Sequence, residues 1–310
     1  MASFILVSST SYAAPEIKVV ATIKPVHSLA ARLLKGIGEP QLLVQGAASP
    51  HTYSLKPSDA KALNHADVFF RVSEQIEPFT IKLMKSLPKS VEAVTLADAP
   101  GIERLDKRTG GTFDAHEHGK SEKGHKHGHD HDEEETGGTD GHVWLDPENA
   151  RGMAAEMAKV LSKRAPAHAA AIAANARALD ADLAALTSEI DAALAPVKSR
   201  PFVVFHDAYQ YFERRFGLQA AGSVTVSPEV QPSAKRLSAV RAKISKLGAA
   251  CVFAEPQFSA KLINAVSEGT GARVGSLDPE GASLEPGPDA YFSLLRNLAA
   301  SLKSCLAQGS

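Results

Sequence analysis

Eight short runs rich in valine, isoleucine and phenylalanine punctuate the chain. Ile17 to Ile23, Gln41 to Val44, Val68 to Val72 and Val91 to Leu96 lie in the first half, and Phe202 to Phe205, Ala221 to Val226, Ala250 to Ala254 and Ala272 to Leu277 in the second. Each has the length and composition of a strand, and helical stretches separate them. Strands that alternate with helices pair in parallel and are covered on both faces. The pattern therefore predicts an α/β protein of two lobes, each a four-stranded, mainly parallel sheet with flanking helices.

Between the two sets, Ala167 to Ala195 contains neither glycine nor proline, with Pro166 in the first turn and Pro196 at the stop. Ile172, Leu179, Leu183, Leu186, Ile190 and Leu194 recur at spacings of 7, 4, 3, 4 and 4, one apolar stripe on a helix. At a rise of 1.5 Å per residue such a helix spans about 43 Å, enough to lie against both lobes. The expected division is an N-terminal lobe over 16–165, a linker helix over 166–198 and a C-terminal lobe over 199–310.

One segment interrupts this scheme. Asp106 to Asp140 holds ten acidic residues, five basic ones, seven glycines and six histidines, with Phe113 its only large apolar side chain. It offers too little burial to offset the entropy of ordering, so it is expected to be a disordered loop without metal. Its histidines, His116, His118, His125, His127, His129 and His131, have no folding role but suit a transition metal, zinc above all.

With 310 residues and 44% hydrophobic content the chain can bury a core in each lobe. Its 34 basic and 35 acidic residues nearly cancel, which gives no electrostatic case for nucleic acid or an anionic membrane surface. No stretch approaches the ~18 to 20 apolar residues of a membrane span. Residues 1–15 read as the remnant of an export signal: an apolar run, Phe4 to Val7, precedes small residues that suit cleavage after Ala13, although the first basic residue is Lys18. An even pair of cysteines, Cys251 and Cys305, in an exported chain suggests a disulfide, a closure worth about 4 kcal/mol in the chain-entropy model. Two unrelated buried thiols are the other reading, and no Cys-x-x-Cys or Cys-x-x-His spacing favours a metal role.

Three histidines stand where loops or strand ends would present them. His51 precedes a helix start at Pro57-Ser58, His142 precedes the helix that opens at Pro147, and His206 ends the run Phe202 to Phe205. In open parallel sheets ligands bind at the carboxyl ends of strands. Glu255 and Asp278 occupy the same kind of position, and either carboxylate could complete a three-histidine zinc site or simply cap a helix. His27 has similar placement but no accompanying motif, while His65 and His168 read as solvated helix positions.

Taken together, His51-Thr52-Tyr53-Ser54-Leu55-Lys56-Pro57-Ser58-Asp59, His142-Val143-Trp144-Leu145-Asp146-Pro147, Phe205-His206-Asp207-Ala208-Tyr209, Phe253-Ala254-Glu255-Pro256-Gln257-Phe258 and Leu277-Asp278-Pro279 resemble the zinc-uptake ABC transporter substrate-binding proteins of the ZnuA type. The resemblance runs from about Ile17 to Cys305. It implies two lobes holding zinc between them, His51, His142 and His206 as ligands, a Cys251–Cys305 disulfide, and the histidine tract as the charged loop of zinc-specific members. It also implies a monomeric periplasmic carrier, not an enzyme, that serves a membrane permease. Some relatives carry Glu just before the first histidine, and here that position is Pro50. Asp278 is then the expected fourth ligand, ahead of water, with Glu255 orienting a histidine. A site richer in imidazole favours zinc over manganese, whose carriers have Glu where this chain has His206. A zinc hydrolase and a metal-dependent adhesin are the competing readings. The first lacks His-Glu-x-x-His and Gly-x-Ser-x-Gly, and the second lacks a lipid-bearing cysteine near the start.

Overall fold

In the computed structural model, which describes residues 17–108, 113, 138–225, 227, 228 and 231–307, each apolar run yields one strand. The N-terminal lobe comprises β1 (Val19–Ala21), α1 (Lys24–Leu33), β2 (Gln41–Leu42), α2 (Pro57–Asn64), β3 (Val68–Arg71), α3 (Thr80–Ser86), β4 (Glu92–Thr95) and α4 (Pro147–Arg164). Then come α5 (Ala169–Leu194), β5 (Phe202–His206), α6 (Gln210–Phe216), β6 (Ala220–Thr225), α7 (Ala234–Leu247), β7 (Cys251–Ala254), α8 (Lys261–Ser267), β8 (Arg273–Ser276) and α9 (Ala290–Ala307). The export-signal remnant and the six tract histidines lie outside the described residues.

Both sheets are parallel, in the orders β2-β1-β3-β4 and β6-β5-β7-β8. In each, the first strand in sequence lies at the centre and the order reverses beside it. That reversal opens a crevice at the carboxyl ends of the strands. The helices begin where the sequence allows a start: proline occupies the first turn of α1, α2 and α4, and Asp146 caps α4 through the amide of Glu148 at 2.9 Å. Gly217 and Gly248, at φ 65° and 57°, end α6 and α7 in the left-handed conformation that glycine adopts without a Cβ penalty.

The linker is α5 flanked by single 3₁₀ turns, Pro166–His168 and Ala195–Val197. Its buried residues are Ile172, Leu179, Leu183, Leu186, Ile190 and Leu194, the stripe read from the sequence. At ~1.5–3 kcal/mol each, they contribute on the order of 10 kcal/mol of gross burial, so the helix is held by packing along its whole length. α9 closes the structure by lying on α1 and α5, which brings this last helix onto the N-terminal lobe. One apolar core consequently runs through both lobes, with Phe70, Trp144, Leu183, Phe202 and Tyr291 in it. Polar ties cross the same interface: Lys24 Nζ donates to the carbonyls of Gly281 and Ala282 at 2.6 and 2.9 Å, and Trp144 Nε1 to that of Pro279 at 2.8 Å. Two lobes joined by a shared core and a stiff helix resist hinge opening. The Cys251–Cys305 disulfide fastens β7 to α9.

Candidate metal centre

Three loops from different elements converge in the cleft. The β2–α2 connection carries His51. Asp59 stiffens it, its Oδ2 accepting from the Lys56 amide at 2.9 Å and the Tyr53 hydroxyl at 2.7 Å, with Leu43 O 3.2 Å from the same hydroxyl. His142 is set by close approach: a Cβ on Gly141 would lie 2.7 Å from Ile76 Cγ1 and 2.9 Å from Ser73 Oγ, so only glycine lets the chain pass so near the β3–α3 loop. His206 is the last residue of β5, at the crevice beside β7.

One ring nitrogen from each of His51, His142 and His206 lies within 4.8 Å of the other two, a separation that a single metal ion can bridge. Carboxylates fix the tautomers. His142 Nδ1 donates to Asp140 Oδ1 at 2.7 Å, and His206 Nδ1 donates to Glu255, whose two oxygens lie at 2.7 and 2.8 Å. Both Nε2 atoms are thereby turned inward as acceptors and face each other at 3.3 Å. His51 bonds the backbone of Gln75. Lone pairs crowded this closely repel unless a cation or a proton stands between them. Carboxylate–imidazole–metal triads are the usual way a protein orients and strengthens such ligands.

The electrostatics agree with this arrangement. Burial, followed by the charge of neighbouring His206 and of Lys107, holds His142 well below the ordinary histidine range. Burial, then His142, His206 and Lys107, does the same to His51. Burial also pulls His206 down, but Glu255 outweighs it and the net shift is upward. Of the three rings, His206 is therefore the one whose affinity for a second proton is raised, while burial lowers that of the other two. Asp140 is raised to about 6, chiefly by burial and opposed by the His142 amide and Gln210. A cavity of about 270 Å³ opens over the three rings, lined among others by Gln75, Lys107, Arg108 and Asp207.

The structure does not bring Asp278 into the histidine cluster. Its Oδ1 accepts from Gln257 Nε2 at 2.8 Å and from the amides of Glu280 and Gly281 at 3.1 and 2.9 Å, and its Oδ2 from the amide of Ala282 at 2.6 Å. These bonds organise the turn that carries Pro279. Glu255 sits on His206. His27 is buried away from the cluster with Nε2 on Pro40 O at 2.9 Å, and His65 is exposed with Nδ1 on Lys61 O at 2.7 Å. Asp140 is the functional carboxylate that sequence reasoning missed. Its signal is Asp140-Gly141-His142, an acid two residues before a ligand candidate across a glycine that permits the tight turn.

Two α/β lobes on a common helix, with convergent imidazoles in the crevice between them, define a two-lobed solute-binding protein whose solute is a metal ion. The chain belongs to the family described as zinc-uptake complex component A, periplasmic, whose sequence model matches residues 19–305. It is 49% identical over 306 residues to the high-affinity zinc uptake system protein ZnuA of Brucella suis, spanning 94% of this chain and 92% of that protein. A crystal structure of ZnuA superposes with a TM-score of 0.77 at 25% identity, covering 94% of this chain and all of that one (100%). The laminin-binding adhesin Lmb of Streptococcus agalactiae gives 0.74 at 25% identity, covering 94% and 99%. No helix among the described residues is long and apolar enough to cross a membrane.

Proposed function

We propose that this protein captures one zinc ion in the periplasm through Nε2 of His51, His142 and His206, with water in the fourth position, and delivers it to an ABC-type membrane permease for import. The observation that carries the reading is the set of three ring nitrogens within 4.8 Å, two of them turned inward by buried carboxylates. Three neutral imidazoles with an open position suit the tetrahedral preference of Zn²⁺. Water takes the fourth place because both oxygens of Asp278 already accept hydrogen bonds and position 50 is proline. Asp140 and Glu255 balance the charge of the ion through the rings they hold.

The site is one of carriage and not of hydrolysis. The two carboxylates that could serve a metal-bound water as general base are both spent on ligand Nδ1 atoms. The stiff connection of the lobes through α5 and the common core suits a carrier that offers its cargo by small adjustments. The six tract histidines would provide weaker, faster-exchanging sites that collect zinc for the cleft. The test is calorimetric: wild-type protein shows one tight zinc step, which His142→Ala and His206→Ala each abolish. An unchanged tight step in either variant refutes the assignment.

A further inference from the structure

Phe113 is the single large apolar residue of the polar segment 106–140, and the structure buries it, at 7% exposure, on the opposite lobe from the one that segment leaves. The chain departs from β4 and is pinned to the N-terminal lobe at Glu103, whose backbone exchanges two hydrogen bonds with the Asn149 side chain of α4 at 2.8 and 3.0 Å. It then crosses onto the C-terminal lobe. Tyr211 OH of α6 accepts from the Leu105 amide at 2.9 Å, and Gln210 Nε2 donates to Asp106 O at 3.0 Å.

The crossing ends in a tight fastening. The Arg108 guanidinium donates through Nε to both Asp207 oxygens at 3.1 and 3.0 Å, and through Nη1 and Nη2 to Glu213 at 2.9 Å each. The carboxylates it meets are almost wholly buried. The Phe113 ring covers the guanidinium, 3.9 Å from ring centroid to Cζ. Backbone bonds then hold Phe113 in place: its amide donates to Ala221 O on the edge strand β6 at 3.1 Å, and its carbonyl accepts from Lys243 Nζ of α7 at 2.8 Å. Asp207, which Arg108 grips, follows the ligand His206 directly in sequence, and Arg108 itself lines the cavity over the three histidines.

Resting on the zinc-binding reading above, we propose that Arg108 and Phe113 form a clip that fastens residues 103–108 to the C-terminal lobe beside the cleft and so sets the rate at which zinc leaves. Both are positioning residues and neither touches the ion. α5 and α9 join the lobes at the back, and the clip joins them at the front, beside His206. Zinc held by ligands from both lobes departs when His206 and His142 separate, and that separation pulls on residues 103–108, which Glu103 ties to one lobe and the clip to the other. Loss of a desolvated guanidinium–ring contact speeds dissociation by about tenfold.

Zinc dissociation into excess chelator, followed by stopped flow, tests this in wild type, Phe113→Ala, Arg108→Ala and Arg108→Lys, alongside metal-free melting temperatures. The expected result is release about tenfold faster in Phe113→Ala and Arg108→Ala, with partial recovery in Arg108→Lys, which keeps the charge but not the fork. Should Arg108→Ala fail to fold because it strands two buried carboxylates, Phe113→Ala decides alone. Release rates within twofold of wild type in Phe113→Ala, whatever the melting temperature does, overturn the proposal, since a purely structural residue changes melting only. A second readout needs no metal: an arginine-specific protease should cut after Arg108 slowly in metal-free wild type and much faster in Phe113→Ala. If wild type bound no zinc, the reading of the site would fall. Equal cutting of the two proteins would separately remove the clip.

Discussion

Glu255 offers the sharpest quantitative handle on the site. Both of its oxygens lie on His206 Nδ1, at 2.7 and 2.8 Å, with the two side chains only 1% and 3% exposed. The carboxylate holds the proton on Nδ1, turns Nε2 toward the ion and adds negative charge behind a ligand of a dipositive cargo. Loss of such an outer carboxylate typically lowers metal affinity ~10 to 100-fold, about 1.4 to 2.7 kcal/mol. Glu255→Gln retains a carbonyl acceptor for Nδ1–H and loses only the charge, so it should fall near tenfold. Glu255→Ala leaves a buried N–H unsatisfied as well and should approach a hundredfold. Glu255 is also what raises His206 against the pull of burial, so the Gln variant faces less competition from protons, and its deficit should shrink as pH falls. Competitive titration against a chromophoric chelator at several pH values reads all three effects. A Glu255→Ala affinity within threefold of wild type, or a larger loss for Asp278→Asn than for Glu255→Ala, would refute the reasoning.

His51 and His142 are held low and stay neutral, whereas His206 is raised, so zinc should displace about one proton. The logarithm of affinity against pH should then fall with a slope near one below about 6.5, and a slope near three would contradict this. In the metal-free protein the raised His206 adds stability that is present below about 6.5 and lost as pH rises through its folded value. Lowered His51 and His142 act in the opposite direction, so melting should worsen on acidification below that point, and thermal scans against pH read the balance. Gly141→Ala puts a methyl into Ile76 and Ser73 and should shift His142, costing at least tenfold in zinc affinity with little change in helix content by circular dichroism. Deleting residues 114 to 135, which spares Phe113, should remove weak extra zinc sites and leave the tight step. Equal stoichiometry by calorimetry would count against the collecting role. Reduction of Cys251–Cys305 should lower the melting temperature by several degrees, as a closure worth about 4 kcal/mol implies, and denatured oxidised protein should show no free thiol.

Much of the architecture was legible because burial imposes periodicity. The α5 stripe from Ile172 to Leu194 and the eight apolar runs mark faces that water must not reach, and the structure buries those faces. Strand order was not legible, since a run such as Val68 to Val72 records that it is buried on both faces but not which neighbour it pairs with. Nor was the packing of α9 onto α1, a contact between the two ends of the chain. At the site, His51, His142 and His206 stood out by type and position, but 91 and 64 residues separate them in sequence, and only the fold brings their rings together. Glu255 and Asp278 looked equivalent at two strand ends. What distinguishes them is the backbone beyond Asp278, which turns its amides at Glu280, Gly281 and Ala282 back onto the carboxylate, a geometry no local pattern announced. Asp140 and Arg108 were lost in a segment whose composition speaks for disorder, although its two ends are among the most firmly bonded parts of the cleft.

The central claim is that one zinc ion sits between the lobes on three imidazoles. Anomalous diffraction at the zinc edge from crystals of the zinc-loaded protein tests it most directly. The account predicts one strong peak in the cleft, ~2.0 to 2.1 Å from Nε2 of His51, His142 and His206, with a water in the fourth position and Asp278 still bonded to its own turn. A peak bound by Asp278, or no peak among the three rings, would contradict it.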